Sequence, residues 1–266
     1  MFFFTSYHHH LTHDQERLAG FYEAITNVKG TVFDIGSGSG ILSALAASYA
    51  HFIYSVEVDP NVSKKTRLLL KNYDNVSFIN EDARKVDFQD KADFILCEML
   101  DTALIDEEQV PVLNSLLKYL KKDGKVIPYG VLNGMEPVHT RTGHICYQES
   151  ESPDLEVLGP LNNDSQYKFG KYINPQAEID LKLKITREGL LTGIKITTFT
   201  LITPGIITGP TPMMNPPLII PTEKLKVKSG DTVQLYISYQ MGGGLDTIKT
   251  RIEKITTGIR EIRKEL

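Results

Sequence analysis

The stretch TVFDIGSGSGILS, Thr31 to Ser43, sets a short run rich in apolar residues and holding one acid, Asp34, against three glycines at alternate positions and then a run of helix formers. An apolar run bounded by glycines reads as a buried strand, and the continuing ILSALAASYA as a helix. Glycines let the backbone turn sharply and approach a ligand closely, while the start of the next helix offers free N–H groups. Taken alone, a GxGxG turn fits a plain strand-to-helix connection as well as a ligand cradle. The surrounding chain decides between them.

Downstream, HFIYSVEV reads as a second strand, and DPNVSKKTRLLLKNY as a helix with Asp59 at its N-cap and Pro60 at its first position. VSFIN and ADFILCE follow as strands, EEQVPVLNSLLKYL as a helix and GKVIPYG as a closing strand. Upstream, THDQERLAGFYEAI reads as a helix, with Thr12 and Gln15 spaced as a capping box. Short strands alternating with helices make a parallel α/β sheet. Beyond about Gly130 the grammar changes: EIDLKLKIT, LTGIKITTFTL, TVQLYISYQ and TIKTRIEKI alternate with period two, as in an antiparallel sandwich or barrel. The expected fold is an α/β, Rossmann-like sheet followed by an antiparallel β-barrel-like domain. The expected division is an N-terminal segment and helix at 1–26, a cofactor domain at 27–129 and a substrate domain at 130–266.

Ligand-facing groups follow the first three strands in order. The glycine loop ends the first, Glu57 ends the second where it can hold both hydroxyls of a ribose, and Asp82 follows the third within reach of an adenine amino group. The order Asp34, Gly36, Gly38, Gly40, then the acid Glu57, then Asp82-Ala83 resembles the class I S-adenosylmethionine-dependent methyltransferases. Nicotinamide dehydrogenases set their third glycine one position later. The resemblance implies S-adenosyl-L-methionine as cofactor, held by these seven residues.

CEMLDTALIDEE, Cys97 to Glu108, carries one acid at a strand end and more about nine residues on. Asp106, Glu107 and Glu108 are compatible with simple stabilisation of a helix N-terminus through its dipole. The loop, with KKDGKVIP after its helix, also resembles the double-glutamate loop of protein arginine methyltransferases, where a glutamate at the strand end and another nine residues later grip the acceptor. Glu98 and Glu107 match both positions. Upstream, FFTSY resembles that family's N-terminal aromatic motif, which gives Phe4 and Tyr7 as pocket walls, on the cofactor and substrate side respectively. His9 falls where the family has a histidine, and Arg17 where it has the arginine that pairs with the carboxylate of the cofactor's methionine part. GLLTGIKITTFTL and KLKVKSGDTVQLYISY look like its barrel strands. The resemblance implies a protein acceptor, arginine in particular, and a homodimer. The chain departs from the family in two places. It has no tryptophan, so the Thr-His-Trp loop expected near TGPTPMMNPP reads Met213, Met214, Asn215, Pro216. The helical dimerisation arm is shortened, with only the polar stretch from about Arg141 to Gln176 to host it. Another protein side chain or a small metabolite therefore stays open as acceptor.

Composition bounds the rest. A chain of 266 residues with 41% hydrophobic content can bury a large core, and a net charge of −4 without a basic block disfavours nucleic acid as a partner. Two distant cysteines make no disulfide framework and fit a reducing compartment, the cytoplasm. No secretory signal and no apolar run of membrane-spanning length is present. The histidines at 8–10 invite a metal, but no acidic or cysteine cluster joins them, so the expectation is no metal. A non-catalytic scaffold on this fold would show degraded cofactor motifs, whereas Asp34, the three glycines and Glu57 are intact.

Overall fold

The structure is a computed structural model, and it describes residues 14–148, 155–211 and 213–255. The first half holds helix α1 (Gln15–Ile25), strand β1 (Thr31–Ile35), α2 (Ile41–Ala46), β2 (Phe52–Val56), α3 (Pro60–Leu70), β3 (Val76–Ile79), β4 (Ala92–Cys97), α4 (Gln109–Leu116) and β5 (Leu120–Ile127). The five strands form one parallel sheet in the order β3-β2-β1-β4-β5. β1 and β4 are buried along nearly their whole length, as strands covered on both faces must be. The order reverses between β1 and β4, so the loops leaving these two strands diverge and open a crevice at their carboxyl ends.

Helix α1 buries Arg17, Gly20, Phe21, Ala24 and Ile25, the i, i+3, i+4, i+7 stripe of an amphipathic helix. Its cap is Asp14, whose side chain accepts from the Arg17 N–H at 3.1 Å. The capping box read on Thr12 and Gln15 is thereby corrected: the next available short acid serves as the cap, and Thr12 lies outside the described residues. α3 begins as expected, capped by Asp59 with Pro60 at its first position. α4 differs from expectation. It starts at Gln109, its first turn holds no acid, and it ends at Leu116, followed by a 3-10 turn at Leu117–Tyr119. Leu120 is already paired with Ala92 in β5, and this sheet pairing overrides the helical propensity of the segment.

The second half is antiparallel. A long strand, Gly189–Thr203, is flanked by Gly130–His139 and Leu218–Val227 in a seven-stranded sheet. Gln176–Lys184, Thr232–Gln240 and Lys249–Ile255 form a three-stranded sheet. The stretch 141–176, read as the host of a helical arm, carries the short strands Cys146–Tyr147, Glu156–Val157 and Asn162–Lys168 and no helix among its described residues. Asn162–Lys168 completes the backbone bonding of Gly130–Met135, a use that an otherwise polar segment can serve without a hydrophobic face. At Gly130 the two strands approach so closely that a Cβ would lie 2.1 Å from the Tyr167 carbonyl oxygen. Gly130→Ala is expected to lower stability by about 1–3 kcal/mol through this clash, read as a shift of the denaturant midpoint at constant m-value. Among the described residues no helix is long and apolar enough to cross a membrane.

Candidate active site

The crevice is built first by the loop after β1. Gly36 and Gly40 have φ of 67° and 80°, left-handed values that cost side-chain-bearing residues energy. A Cβ on Gly36 would meet Met99, and one on Gly40 would meet Thr66, each at 2.8 Å. Gly40 thus lets α2 seat against α3, while Gly36 borders the cavity. The loop is pinned by Ser37 N–H donating to Val56 O at 2.9 Å and Gly38 N–H donating to Glu57 Oε2 at 2.8 Å. Glu57 Oε1 accepts from Asp59 N–H, also at 2.8 Å. A carboxylate has about four acceptor sites, so Glu57 retains lone pairs for a diol. The hydroxyl of Ser37, at the edge of the same cavity, is buried without a hydrogen-bond partner among the described residues.

Arg17, Asp34, Gly36, Gly38, Glu57, Glu98 and Glu107 all border one cavity of about 240 Å³. Asp82 and Ala83 border a smaller one of about 90 Å³, and Gly36, Val58 and Met99 line both. Asp82 lies in the fork of Arg84, with Nε and Nη2 each 2.9 Å from a carboxylate oxygen. These bonds, chiefly the side-chain contact, hold its pKa below the usual carboxylate range. An adenine amino group at Asp82 would share the carboxylate with Arg84, which also reaches Glu108 at 2.9 Å. Gly40 borders neither cavity. Phe4, Tyr7, His9 and the histidines at 8–10 lie outside the described residues. Among those that are described, no cluster of metal-ligating side chains occurs.

Asp34 is buried beneath the loop and accepts a hydrogen bond from the Ser43 hydroxyl. Burial pushes its pKa up to about 7; the Ser43 bonds oppose this, and the charges of Glu57 and Glu98 add to it. The folded protein therefore keeps this proton to about pH 7, whereas the unfolded chain releases it near the ordinary 3.8. Asp34's contribution to stability is full below the unfolded value and is lost as pH rises through about 7. Asp34→Asn cannot ionise, so its melting temperature is expected to fall less between pH 5 and 8 than that of the wild type. Superimposable scanning-calorimetry profiles would show that Asp34 does not titrate there.

Arg17 and Glu98, assigned separate partners from the sequence, meet in a bidentate ion pair: Nε donates to Oε1 at 2.9 Å and Nη2 donates to Oε2. The planar guanidinium matches a carboxylate edge, and each Glu98 oxygen keeps a further acceptor site. Glu107 stands at the rim of the cavity, open to solvent. Crowding by surrounding protein atoms raises its pKa first, followed by the charges of Asp106, Glu98 and Glu108. Since α4 begins only at Gln109, Glu107 is not a first-turn helix acid.

The loop joining the two glutamates and the start of α4 hold residues that sequence reasoning missed. Gln109 accepts from Met99 N–H at 2.9 Å and donates to Cys97 O at 2.7 Å, which fixes the backbone on both sides of Glu98. Asp101 is 6% exposed, and its carboxylate accepts from Ile105, Asp106 and Glu107 N–H at 3.1, 2.8 and 3.2 Å. Burial raises its pKa to about 7, these bonds lower it, and the charges of Glu107 and Asp106 raise it again. The one available signal was a lone acid inside the apolar run MLDTALI. Ala103 and Leu104 take φ of 60° and 62°, strained for residues with side chains. The second half holds them there: Ala103 N–H donates to Thr198 Oγ1 at 2.8 Å, and Gly242 and Gly244 N–H donate to Leu104 and Ile105 carbonyls at 3.0 Å. The segment in the place of the Thr-His-Trp loop packs here as well. Thr102 Oγ1 donates to Pro216 O at 2.6 Å, Met214 is fully buried and Asn215 donates to Thr200 Oγ1 at 2.7 Å. Its start meets α1, where Thr211 bonds Asp14 and Gly209 N–H donates to Glu16 at 2.9 Å.

A reversing parallel sheet, a glycine loop under an acid-ended second strand and this cavity define the class: the chain belongs to the class I S-adenosylmethionine-dependent methyltransferases. Residues 32–124 match the family model described as a methyltransferase domain. Over 249 residues, 93% of this chain and 98% of the relative, it is 46% identical to an uncharacterised protein of Methanothermobacter thermautotrophicus. Protein arginine N-methyltransferase 7 of Gallus gallus is 34% identical over 139 residues, which are 45% of this chain and 20% of that protein. Among solved structures, the Trypanosoma brucei PRMT1 enzyme–prozyme heterotetramer with AdoHcy is similar in fold, with a TM-score of 0.73 at 14% identity over 95% of this chain and 98% of that one. The chain's cofactor is S-adenosylmethionine. The donor set fits it: the carboxylate of Glu57 for a ribose diol and the spare hydroxyl of Ser37 at the cavity edge, whereas Arg17, expected at the cofactor's carboxylate, is paired with Glu98.

Proposed function

We propose that this methyltransferase modifies a guanidino nitrogen of arginine in a protein, with Glu98 and Glu107 as the two carboxylates that hold the acceptor. The observation that carries this reading is that both glutamates border the cavity shared with Asp34, Gly36, Gly38 and Glu57. The bound cofactor supplies a methyl carbon already activated by its sulfonium, which leaves alignment and preparation of the nucleophile to the protein. A guanidinium is a poor nucleophile because it keeps its proton, with a pKa of about 12.5–13.8, and its lone pairs are delocalised. Two carboxylates on different nitrogens fix its plane and draw positive charge to their side, leaving the third nitrogen richer in electrons. Arg17 keeps Glu98 aimed and partly neutralised, so the carboxylate is not left as an isolated buried charge. Glu107, whose raised pKa disfavours its ionised form, gains most from a cation entering the rim. In this reading the acceptor lies between the halves, and the protein works as a homodimer in the cytoplasm.

A second reading keeps the scaffold but takes another protein side chain or a small metabolite as acceptor. It is favoured by the Met213–Pro216 segment, which lacks the family's Thr-His-Trp residues. Radiolabelled methyl transfer into extract from a strain lacking the gene, followed by mass spectrometry of the labelled species, separates the two. Methylarginine in protein is the expected product, and label confined to small molecules would sink the first reading. A scaffold without activity would show no heat on titration with S-adenosylmethionine at high micromolar concentration.

A further inference from the structure

We propose that Asp101 is a positioning residue for methyl transfer: its buried carboxylate gathers the N–H groups of Ile105, Asp106 and Glu107 and so fixes the backbone from which Glu107 reaches the acceptor. The inference rests on the reading of Glu107 as an acceptor-holding group. Three successive amides converging on one spot form a concavity that suits an anion, and Asp101 fills it with both oxygens. Tyr147, from the strand Cys146–Tyr147 of the second half, directs its hydroxyl at the same carboxylate from 3.5 Å. Among the described residues no other group bonds the Asp106 and Glu107 amides. The rest of the loop is held independently. Ala103 N–H is bonded to Thr198, the Leu104 and Ile105 carbonyls to Gly242 and Gly244, and Met99 N–H to Gln109. Loss of the Asp101 carboxylate therefore frees the amides of residues 105–107, while the strained turn before them and the Ile105 carbonyl keep their anchors. A misplacement of about 1 Å in a catalytic arrangement costs about 100-fold in rate.

Asparagine preserves the volume of Asp101 but offers one acceptor oxygen in place of two, and serine is the second variant should Asp101→Asn fail to fold. Three measurements test the inference on the full chain: amide hydrogen exchange at 105–107, affinity for S-adenosylhomocysteine by calorimetry, and initial rates of radiolabelled methyl transfer into extract of the strain lacking the gene. Asp101→Asn is expected to speed exchange at 105–107 at least tenfold and to slow transfer about thirtyfold or more, with cofactor-product affinity within threefold of wild type. The double variant with Glu107→Gln is expected to be within threefold of Glu107→Gln alone, because Asp101 acts through Glu107. Unchanged exchange, losses that multiply in the double variant, or a parallel loss of cofactor-product affinity would each overturn the proposal. If Glu107→Gln retains the wild-type rate, the double-glutamate reading falls with the kinetic part of this inference, while exchange still decides whether Asp101 holds the loop.

Discussion

Replacing Glu107 with glutamine is expected to lower methyl transfer by about 100- to 1,000-fold, the range found when one preorganised electrostatic contact to a reacting group is removed. The substitution keeps size and hydrogen-bonding reach but deletes the charge that would draw on the guanidinium. Glu107 is solvent-open at the rim, so stability is expected to stay within about 0.5 kcal/mol. Affinity for S-adenosylmethionine should hold within twofold, because Glu57, Asp34 and the glycine loop are untouched. Single-turnover rates with calorimetric titration of cofactor check the two together. A variant that turns over at the wild-type rate would rule out paired carboxylates as the device for preparing the acceptor.

Glu57→Ala is expected to weaken S-adenosylmethionine binding by 100-fold or more. The carboxylate contributes in two ways. It is the group best suited to accept from two ribose hydroxyls, and hydrogen bonds to a charged group are worth about 1.5–3 kcal/mol each. It also ties Gly38 and Asp59 N–H together at 2.8 Å, holding the loop in its left-handed turns before any ligand arrives. Glu57→Gln, which keeps one acceptor oxygen, should fall between alanine and wild type. Equal affinities for all three in calorimetry would remove Glu57 from the cofactor site.

Much of the first half could be read from residues alone, because its signals are local. Strands buried on both faces are continuous apolar runs, and Asp59-Pro60 marks a helix start whatever packs around it. The second half was read through its alternating strands, whereas Gly130–His139 was missed. GVLNGMEPVH carries two glycines, an asparagine and a proline, and it is a strand because neighbours cover it almost completely. At the site, glycines and strand-end acids declare themselves by position. The meeting of Arg17 with Glu98 spans 81 residues, and the Asp101 bonds depend on a left-handed turn at Ala103 and Leu104 that no local propensity encodes. Both are fixed by tertiary packing, which a linear reading does not contain.

The stitching of the acid loop to the second half also bears on how such a protein can diversify. The matched methyltransferase span closes at residue 124, before Thr198, Pro216, Gly242 and Gly244, the groups that anchor residues 102–105. A lineage that shuffled in a different second half would inherit the cofactor cradle together with an untethered acid loop. Exchange of the second half therefore costs the acid loop its tethers, whereas substitutions that spare Thr198, Gly242 and Gly244 leave them in place.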